Sequence, residues 1–548
     1  MNKPVSTGET FFQNRLLLLK SLGYGLFSLS LLFRIRALAL RYIEADELEH
    51  LRGAFCVFQG WLPYRDFFEH HTPLIYYLLA PLYRLGDYPA VIFASRGLML
   101  LFCLLIFLLV FQLARKCFSP AAAWFSLIWL SYIFMFFEKS LEIRPDVPAL
   151  AFFLLGLWML ADSTRNPTGC RSAGAGICLA LAFLFTQKTV FPVFGVFLLL
   201  AIRALTGKRE NGRRELNFNP LALTLIGFSV PLVLTLAFFY FQGGLSDFVY
   251  RNFTMNFLWK RRLPYTVFLN TLIYENPFFV FWAAGGIILT GFRLPRGGAR
   301  TGQDLIWYPA LLGLASLLLI PVVLPQTYAL VIPLLVIPAG KALADFLDWI
   351  FQSKRTGRVV GSLILLISGP GLFWLVAGTG GYRPKLLWEN PQILVPVYTF
   401  LGGAACLTAI LATNRRRRTG FFCLFLLLLI GRPINFMINY DRLDNRGQLA
   451  EMEIIARETE IDDRVFDTWP IAGFFRLPAY YYHFLHQGVL MMLTPEEKGE
   501  RLLSALQTRR PRLISRGINF NRLDPEILGY INTHYREHAE NPNLLIRK

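Results

Sequence analysis

The sequence is poor in charged residues and in the signatures of soluble enzymes. Only 17% of its 548 residues are Asp, Glu, Lys or Arg, whereas soluble domains average about 25%. It has no GxGxxG segment set between a strand and a helix, no P-loop, no internal repeat and no low-complexity segment. Its seven cysteines form no CxxC pair, and most lie in or beside apolar runs. These absences exclude a disulfide scaffold and the common nucleotide-binding folds.

Long apolar runs dominate the chain instead. Hydrophobic residues make up 55% of the sequence, and the mean hydropathy is +0.45. A helix needs about 20 apolar residues to cross roughly 30 Å of hydrocarbon. Stretches of about this length predict roughly thirteen membrane spans, near residues 16–38, 90–114, 119–137, 147–161, 173–186, 190–205, 220–241, 277–292, 304–322, 329–350, 359–377, 394–412 and 420–438.

The basic residues set the predicted orientation. The net charge of +19 comes from Lys and Arg in alternate short loops, which the positive-inside rule places in the cytoplasm. This assignment requires residues 73–86, which are apolar but short, to be an interfacial helix rather than a span. We expect the first span to be retained, because its apolar run is too long for that of a signal peptide. We therefore expect the N-terminus inside, the C-terminus outside, and no nucleic-acid partner.

The composition changes at residue 439. Residues 439–548 hold 15 basic and 16 acidic residues, and helix-like and strand-like segments alternate along them. The predicted fold class is a polytopic α-helical membrane protein with a small C-terminal α/β domain. The predicted domains are a transmembrane catalytic domain, 1–438, whose first outside loop is 39–89, and an extracytoplasmic domain, 439–548.

The first outside loop opens with an acidic segment. If a helix begins at Asp46, then Asp46, Glu49 and His50 share one face and Glu47 points elsewhere. A carboxylate at the edge of the hydrocarbon is a candidate general base, because partial desolvation raises its pKa. The alternative is a solvated acidic first turn that stabilises its helix through the helix dipole.

The end of the same loop is rich in polar side chains. Arg65 is followed by Glu69, His70 and His71, which are candidates for hydrogen bonds to a phosphate or a sugar. Adjacent histidines seldom bind the same ion, and no HxxxH spacing occurs. A divalent metal is therefore left open, and no cofactor is demanded by the sequence. An interfacial polar cluster is the alternative.

Every later outside loop also carries polar or ionisable residues, which are costly beside a membrane and usually functional. Together these loops predict an outward-facing polar cavity suited to transfer of a group from a lipid phosphate, in which a carboxylate accepts a proton and cations hold the departing phosphate. For Lys188 the alternative is that its side chain anchors the helix end by snorkelling to the membrane surface. The candidate residues are Arg144, Asp146, Gln187, Lys188, Arg261, Gln326 and Tyr328.

The motifs occur in a recognisable order. Asp46-Glu47 follows the first span, and Phe68 to Leu74 closes the first loop; Arg144-Pro145-Asp146, Phe185 to Lys188 and Pro325 to Tyr328 come next. This order resembles the GT-C fold glycosyltransferases of the protein O-mannosyltransferase and aminoarabinose (lipid A) transferase group, including galacturonosyltransferase-like relatives. The chain departs from the aminoarabinose branch at His70 and His71, where that branch has a lysine after the glutamate.

The resemblance implies a function and several roles. It implies transfer of a sugar from a polyprenyl-phosphate donor, with inversion, at the outer face of the inner membrane, to a lipid, glycan or protein acceptor. The adjacent acidic residues Asp46 and Glu47 are then catalytic candidates, and Asp46 is similar to the proposed base. Asp146, a third catalytic candidate, helps shape the donor and acceptor pocket. Lys188 contacts the donor phosphate, and Arg144 is a second candidate for that contact.

Two other functions stay open at this point. A multi-span lipid or solute transporter would explain the number of spans, but transporters concentrate ionisable groups near the bilayer midplane. Here those groups lie in predicted outside loops. A sensor or docking role for residues 439–548, with the membrane portion as scaffold, is the third hypothesis.

Overall fold

The computed structural model describes residues 16–86, 88–163, 169–206, 208–210, 213–215, 217–258, 262–294, 302–374, 391–411, 415–440 and 444–548. Most of these residues are helical, as the sequence predicts.

A helix coincides with each of the thirteen predicted spans. Among the described residues, seven helices are long and apolar enough to cross a membrane, or eight if a pair of helices bent by 112° at residue 276 counts as one span. The helices that coincide with the thirteen predicted spans are, in chain order, Leu16–Leu40, Tyr88–Cys117, Pro120–Tyr132 continued by Phe134–Lys139, Asp146–Ser163, Gly169–Phe185, Val190–Thr206, Asn219–Phe241, Pro277–Arg293, Asp304–Leu319, Pro325–Gln352, Arg355–Leu366, Pro391–Ile410 and Arg415–Asn439.

Small residues let two of these helices approach closely. A Cβ atom added at Gly176 would lie 2.0 Å from the carbonyl oxygen of Thr224, and one added at Gly227 would lie 2.0 Å from that of Ala173. Interfaces of membrane helices are enriched in small residues for this reason. The helices Gly169–Phe185 and Asn219–Phe241 therefore pack backbone against backbone.

The segment predicted to be the first outside loop, residues 39–89, is largely helical, and none of its described helices is long enough to cross a membrane. Its long helix, Ala45–Phe58, is followed by the short helix Leu74–Leu79 and a 3₁₀ turn, Ala80–Leu85. Six residues of α-helix are about 9 Å long, which is far short of a bilayer. Further short helices lie between the later spans, at Leu245–Val249, Met255–Phe257 and Thr266–Glu275, and a two-stranded hairpin pairs Lys208–Glu210 with Arg213–Glu215.

The C-terminal residues form a mixed five-stranded sheet with helices. In spatial order its strands are Leu477–Pro478, Arg464–Asp467, Leu513–Ser515, Leu544–Arg547 and Tyr535–Glu537. The first three strands run parallel, and the last two pair antiparallel. The helices are Arg446–Glu458, Gln487–Leu490, Pro495–Lys498, Glu500–Arg509 and Pro525–His534.

This C-terminal unit is docked on the first outside loop. Nη2 of Arg52 lies 2.5 Å from Oδ2 of Asp467, and both side chains are fully buried. The backbone N–H of Phe68 donates to the carbonyl of Tyr481 at 2.9 Å. One hydrophobic core continues from the membrane helices into the sheet. The C-terminal unit thus fixes both the helix Ala45–Phe58 and the end of the loop.

Candidate active site

The helix Ala45–Phe58 turns successive side chains toward different partners. Asp46 forms an ion pair with Arg144, while Glu47 points into the protein. Glu49 and His50 are buried beside the imidazole of His71. The predicted separation of Glu47 from the face shared by Asp46, Glu49 and His50 is confirmed, because one residue turns a helix by about 100°.

An alternating row of charges joins the first three outside loops. Asp46 pairs with Nη1 of Arg144, whose Nε lies 3.4 Å from Oδ2 of Asp146. Oδ1 of Asp146 lies in turn 3.2 Å from Nζ of Lys188. The structure therefore brings together four of the predicted site residues from three separate loops.

Exposure differs along this row. The side chain of Asp46 is 39% exposed, whereas those of Arg144 and Asp146 are each 5% exposed. Lys188 keeps 23% of its side chain exposed. Asp46 and Lys188 are thus the two more exposed members of the row, and Arg144 and Asp146 lie between them with little exposure.

The pairing sets the protonation of Asp46. Burial raises the pKa of the Asp46 carboxyl, but the charge and the hydrogen bond of Arg144 outweigh it and hold that pKa well below its usual value. The pKa of Arg144 is raised because the attraction of Asp46 and Asp146 outweighs its burial. Asp46 is consequently ionised, and it is a weak proton acceptor while Arg144 remains bound to it.

Glu47 is an anchor inside the protein. Its fully buried carboxylate lies 2.9 Å from Nη2 of Arg41 and 2.9 Å from Nη2 of Arg96. It also accepts the backbone N–H groups of Glu44, at 2.9 Å, and Ile143, at 3.1 Å. Burial opposes its ionisation, yet the two arginines lower its pKa to about 2. Both oxygens are thus occupied in joining the first loop to the second.

A second polar cluster lies beside Asp46. Glu69 accepts the backbone N–H groups of His70, at 2.8 Å, and His71, at 3.1 Å, and its Oε1 lies 2.9 Å from Nδ1 of His71. Oε1 of Glu49 lies 3.8 Å from the same Nδ1. One ligand atom from each of Glu49, Glu69, His70 and His71 lies within 4.8 Å of the others, so these four residues could hold a metal ion.

Burial and mutual repulsion shape the protonation of this cluster. Burial raises the pKa of Glu49 well above its usual value, and the neighbouring charge of Glu69 adds to the effect. Burial and then the nearby His71 lower the pKa of His50 to about 3. His50 is therefore a neutral imidazole at physiological pH.

Histidines from two parts of the chain meet here. The rings of His50 and His71 are 5.1 Å apart, and those of His70 and His71 are 4.0 Å apart. From the C-terminal unit, the ring of His486 lies 6.3 Å from that of His70. His483 packs against Phe67. The C-terminal unit therefore borders the cluster.

Gln187 holds the backbone of this cluster. Its amide Nε2 donates to the carbonyl of His70 at 3.1 Å and to Oδ1 of Asn252 at 2.9 Å. Asn256 donates to the same His70 carbonyl at 3.1 Å. The contacts of Gln187 thus fix the histidine turn, while the neighbouring Lys188 remains accessible.

Three other predicted site residues, Arg65, Gln326 and Tyr328, are not among the members of these clusters described above. Arg65 pairs with Asp66 at 2.8 Å and donates to the Gln242 carbonyl at 2.7 Å. The hydroxyl of Tyr328 donates to the Tyr265 carbonyl, and Gln326 is buried at the start of its helix. Arg261 lies outside the described residues.

Several residues at the site were absent from the predicted set. The helical spacing had placed Glu49 on the same face as Asp46, but no role at the site was predicted for it. Nζ of Lys139 lies 2.6 Å from Oε1 of Glu142, and the only sequence feature that indicated Glu142 was the number of charged residues in its loop. Arg96 and the C-terminal histidines had none, because their positions depend on tertiary packing alone.

Comparison with known proteins supports the fold. Residues 70–234 match the family model for dolichyl-phosphate-mannose-protein mannosyltransferase. The crystal structure of apo ArnT from Cupriavidus metallidurans is 15% identical, with a TM-score of 0.60, and the match covers 97% of each chain. ArnT bound to undecaprenyl phosphate is 14% identical, with a TM-score of 0.58, over 97% of this chain and 98% of that one. No curated protein sequence matches the chain. The chain therefore has the fold of ArnT over nearly its whole length, and its residues 70–234 are similar to the mannosyltransferase family.

Proposed function

We propose that the protein transfers a sugar from a polyprenyl-phosphate donor to a hydroxyl group of an acceptor. The observation that carries this proposal is the row Asp46–Arg144–Asp146–Lys188, which combines an accessible carboxylate with two cations where three loops meet. The resemblance in fold to ArnT crystallised with undecaprenyl phosphate supports a donor of this class.

The two cations suit the phosphate of such a donor. Lys188 is partly exposed and shares only one carboxylate oxygen, so its ammonium has hydrogen-bonding capacity left for a phosphate oxygen. Charge-assisted hydrogen bonds of this kind are about twice as strong as neutral ones. The polyprenyl chain would lie among the apolar helices, which explains why the site needs no nucleotide-binding motif.

Donor binding can also activate the base. A phosphate that draws the Arg144 guanidinium toward itself weakens the Asp46–Arg144 pair and raises the pKa of Asp46 toward its usual value. Asp46 then accepts the proton of the acceptor hydroxyl. The acceptor oxygen attacks the anomeric carbon, and the bond from that carbon to the phosphate oxygen breaks. Its electron pair leaves with the phosphate, and a single displacement inverts the anomeric centre.

We assign Glu47 to positioning rather than to proton transfer. Its carboxylate is fully buried between Arg41 and Arg96, so an acceptor cannot reach it. We also assign a positioning role to Gln187, whose amide donates a hydrogen bond to the His70 carbonyl. Asp146 holds Arg144 and Lys188 in place for the donor.

The proposed location follows from the loops. We place the site at the outer face of the inner membrane, with the N-terminus in the cytoplasm, because the basic short loops would then lie inside. The acceptor is a lipid, a glycan or a protein that approaches between Asp46 and the C-terminal unit.

Binding of undecaprenyl phosphate to purified protein tests the donor class. We expect Lys188→Gln to weaken this binding at least about tenfold, because a hydrogen bond to a charged group contributes about 1.5–3 kcal/mol. Lys341→Gln is the matched control, since Lys341 is also 23% exposed and also pairs with an aspartate, Asp345. Equal binding of undecaprenyl phosphate by the wild type and Lys188→Gln would contradict the assignment. It would also be contradicted if the wild type bound undecaprenol, which lacks the phosphate, as tightly as undecaprenyl phosphate.

A further inference from the structure

The carboxyl ends of two parallel strands in the C-terminal unit lie against the first-loop helix. The strands Arg464–Asp467 and Leu513–Ser515 run parallel, so both end at the same side of the sheet. Asp467, the last residue of its strand, pairs with Arg52 of the helix that carries Asp46. In open sheets with parallel strands, ligands bind in the crevice outside these carboxyl ends. The sheet therefore turns its usual ligand-binding side toward the candidate active site.

Two aromatic residues, Trp469 and His486, lie at this side of the sheet. Their ring centres are 5.4 Å apart, and the ring of His486 lies in turn 6.3 Å from that of His70. Burial raises the pKa of Asp46, and the imidazolium form of His486 is among the nearby charges that lower it, so these two side chains are neighbours. The pair thus borders the space in which the proposed function places the acceptor.

Backbone hydrogen bonds fix the segments that carry this pair. The N–H of Ile518 donates to the Trp469 carbonyl at 2.8 Å, and the N–H of Leu485 donates to the Thr468 carbonyl at 2.8 Å. The second bond joins the residue before Trp469 to the residue before His486. Both side chains of the pair remain partly exposed. They therefore form a firmly held surface that solvent reaches, as a binding site requires.

The hydrogen-bonding role of His486 is defined by its helix. Its Nδ1 accepts the backbone N–H of Val489 at 3.0 Å, as the cap of the helix Gln487–Leu490. The proton of the neutral ring is consequently on Nε2, which makes this nitrogen a hydrogen-bond donor. A sugar hydroxyl accepts such a bond, and the C–H groups on one face of a sugar ring pack on the negative face of an indole. Together the two side chains suit one sugar ring.

A peptide fits this side of the sheet less well. An extended peptide binds by adding a strand to an exposed sheet edge. One edge strand, Leu477–Pro478, is only two residues long and ends in a proline, which has no N–H to donate. The other, Tyr535–Glu537, lies at the opposite edge of the sheet. The ends of internal strands, which border the site, offer no row of backbone groups for such pairing.

We propose that Trp469 and His486 bind a sugar ring of the acceptor, with the indole against one face of the ring and the imidazole donating to one of its hydroxyls. The acceptor is then a carbohydrate rather than a peptide. A sugar held beside His70 presents a neighbouring hydroxyl to Asp46, while the donor phosphate binds at Lys188. Only the assignment of this sugar as the acceptor rests on the proposed function, because saccharide binding itself needs no transfer.

Tryptophan fluorescence of the purified full-length protein measures saccharide binding. The probe is the saccharide fraction released by mild acid from envelopes of a strain lacking the protein, and a tryptic peptide fraction of the same envelopes is the comparison. We expect the saccharides alone to change the wild-type emission, and Trp469→Phe to remove most of that change. His486→Ala should raise the half-saturating concentration at least about fivefold, because one hydrogen bond is lost.

A matched pair in the same unit supplies the controls. The rings of Tyr530 and His534 are 4.3 Å apart, on the helix that leads into the opposite edge strand. Tyr530→Ala and His534→Ala should keep the wild-type half-saturating concentration. The proposal is wrong if the saccharides leave the emission unchanged, if His486→Ala binds them as tightly as the wild type, or if the peptides change the emission instead.

Sugar transfer in cells gives a second readout that does not use fluorescence. At equal protein levels, Trp469→Ala and His486→Ala should each reduce the sugar increment on envelope carbohydrate at least about fivefold, and Trp469→Phe, which keeps an aromatic face, should restore most of it. Undecaprenyl phosphate binding should stay at the wild-type level in all three. An increment found on protein, or one that both alanine variants leave undiminished, would overturn the proposal. Loss of undecaprenyl phosphate binding by the wild type would instead show that the transferase proposal fails.

Discussion

The buried ion pair between Arg52 and Asp467 offers a sharp test of how the C-terminal unit is attached. The pair joins the helix that carries Asp46 to the strand Arg464–Asp467, and neither side chain is exposed. Removal of one partner leaves the other charge buried alone, which costs about 3–5 kcal/mol. Replacement of both by apolar residues of similar volume is often neutral. We therefore expect Arg52→Met and Asp467→Leu each to destabilise the protein, and the double variant to recover most of the loss.

The environment of the pair favours the upper part of this range for Asp467→Leu. Nε and Nη1 of Arg52 have no hydrogen-bond partner, so Asp467 is the only carboxylate within ion-pair distance among the described residues. Oδ1 of Asp467 also accepts the backbone N–H of Gly473 at 3.2 Å. That hydrogen bond would be lost as well.

Thermal unfolding in detergent, followed by tryptophan fluorescence, measures the effect. A loss of this size should lower the unfolding temperature of the C-terminal unit by more than about 10 °C, since 1 kcal/mol corresponds to about 4–8 °C in a domain of 60–100 residues. The reasoning is refuted if both single variants unfold within about 2 °C of the wild type. It is also refuted if the double variant is as unstable as the sum of the two single variants.

Two further predictions concern the acidic start of the first-loop helix. Glu47→Gln should lower the unfolding temperature by at least about 5 °C at pH 7, because Arg41 and Arg96 lose their buried counter-charge; an unchanged temperature would contradict the anchoring role. Burial, followed by repulsion from Glu142, raises the pKa of Glu44 to about 7, so the folded state takes up a proton and loses stability as the pH rises from about 5 to 8. Glu44→Gln should therefore match the wild type at pH 5 and exceed its unfolding temperature at pH 8, and the opposite order would refute this assignment.

The helices and their periodic faces could be predicted because they depend on local sequence. Runs of about 20 apolar residues gave the spans, and the spacing of Asp46, Glu49 and His50 placed them on one face. The helix cap at Thr494, whose side chain accepts the N–H of Glu497, likewise depends only on local sequence, because a threonine is followed three residues later by a glutamate.

The pairing of the charges could not be predicted in the same way. The outside loops predicted that carboxylates and cations would meet, but not that Arg144 would join Asp46 rather than Glu47. The pairing depends on Arg96, which lies inside a predicted span and forms a buried ion pair with Glu47. The positions of Arg65 and Tyr328 likewise depend on tertiary contacts with the Gln242 and Tyr265 carbonyls.

The composition of the cell envelope shows whether Asp46 takes part in sugar transfer. Lipids and glycans from a strain lacking this protein, complemented with wild type, Asp46→Asn or Asp345→Asn, are compared by mass spectrometry. Asp345 is the matched control, because its side chain is 36% exposed and also pairs with a cation. We expect a hexose, pentose or uronic-acid increment to be present with the wild type and Asp345→Asn and absent with Asp46→Asn. An undiminished increment with Asp46→Asn, at equal protein levels in the membrane, would contradict it.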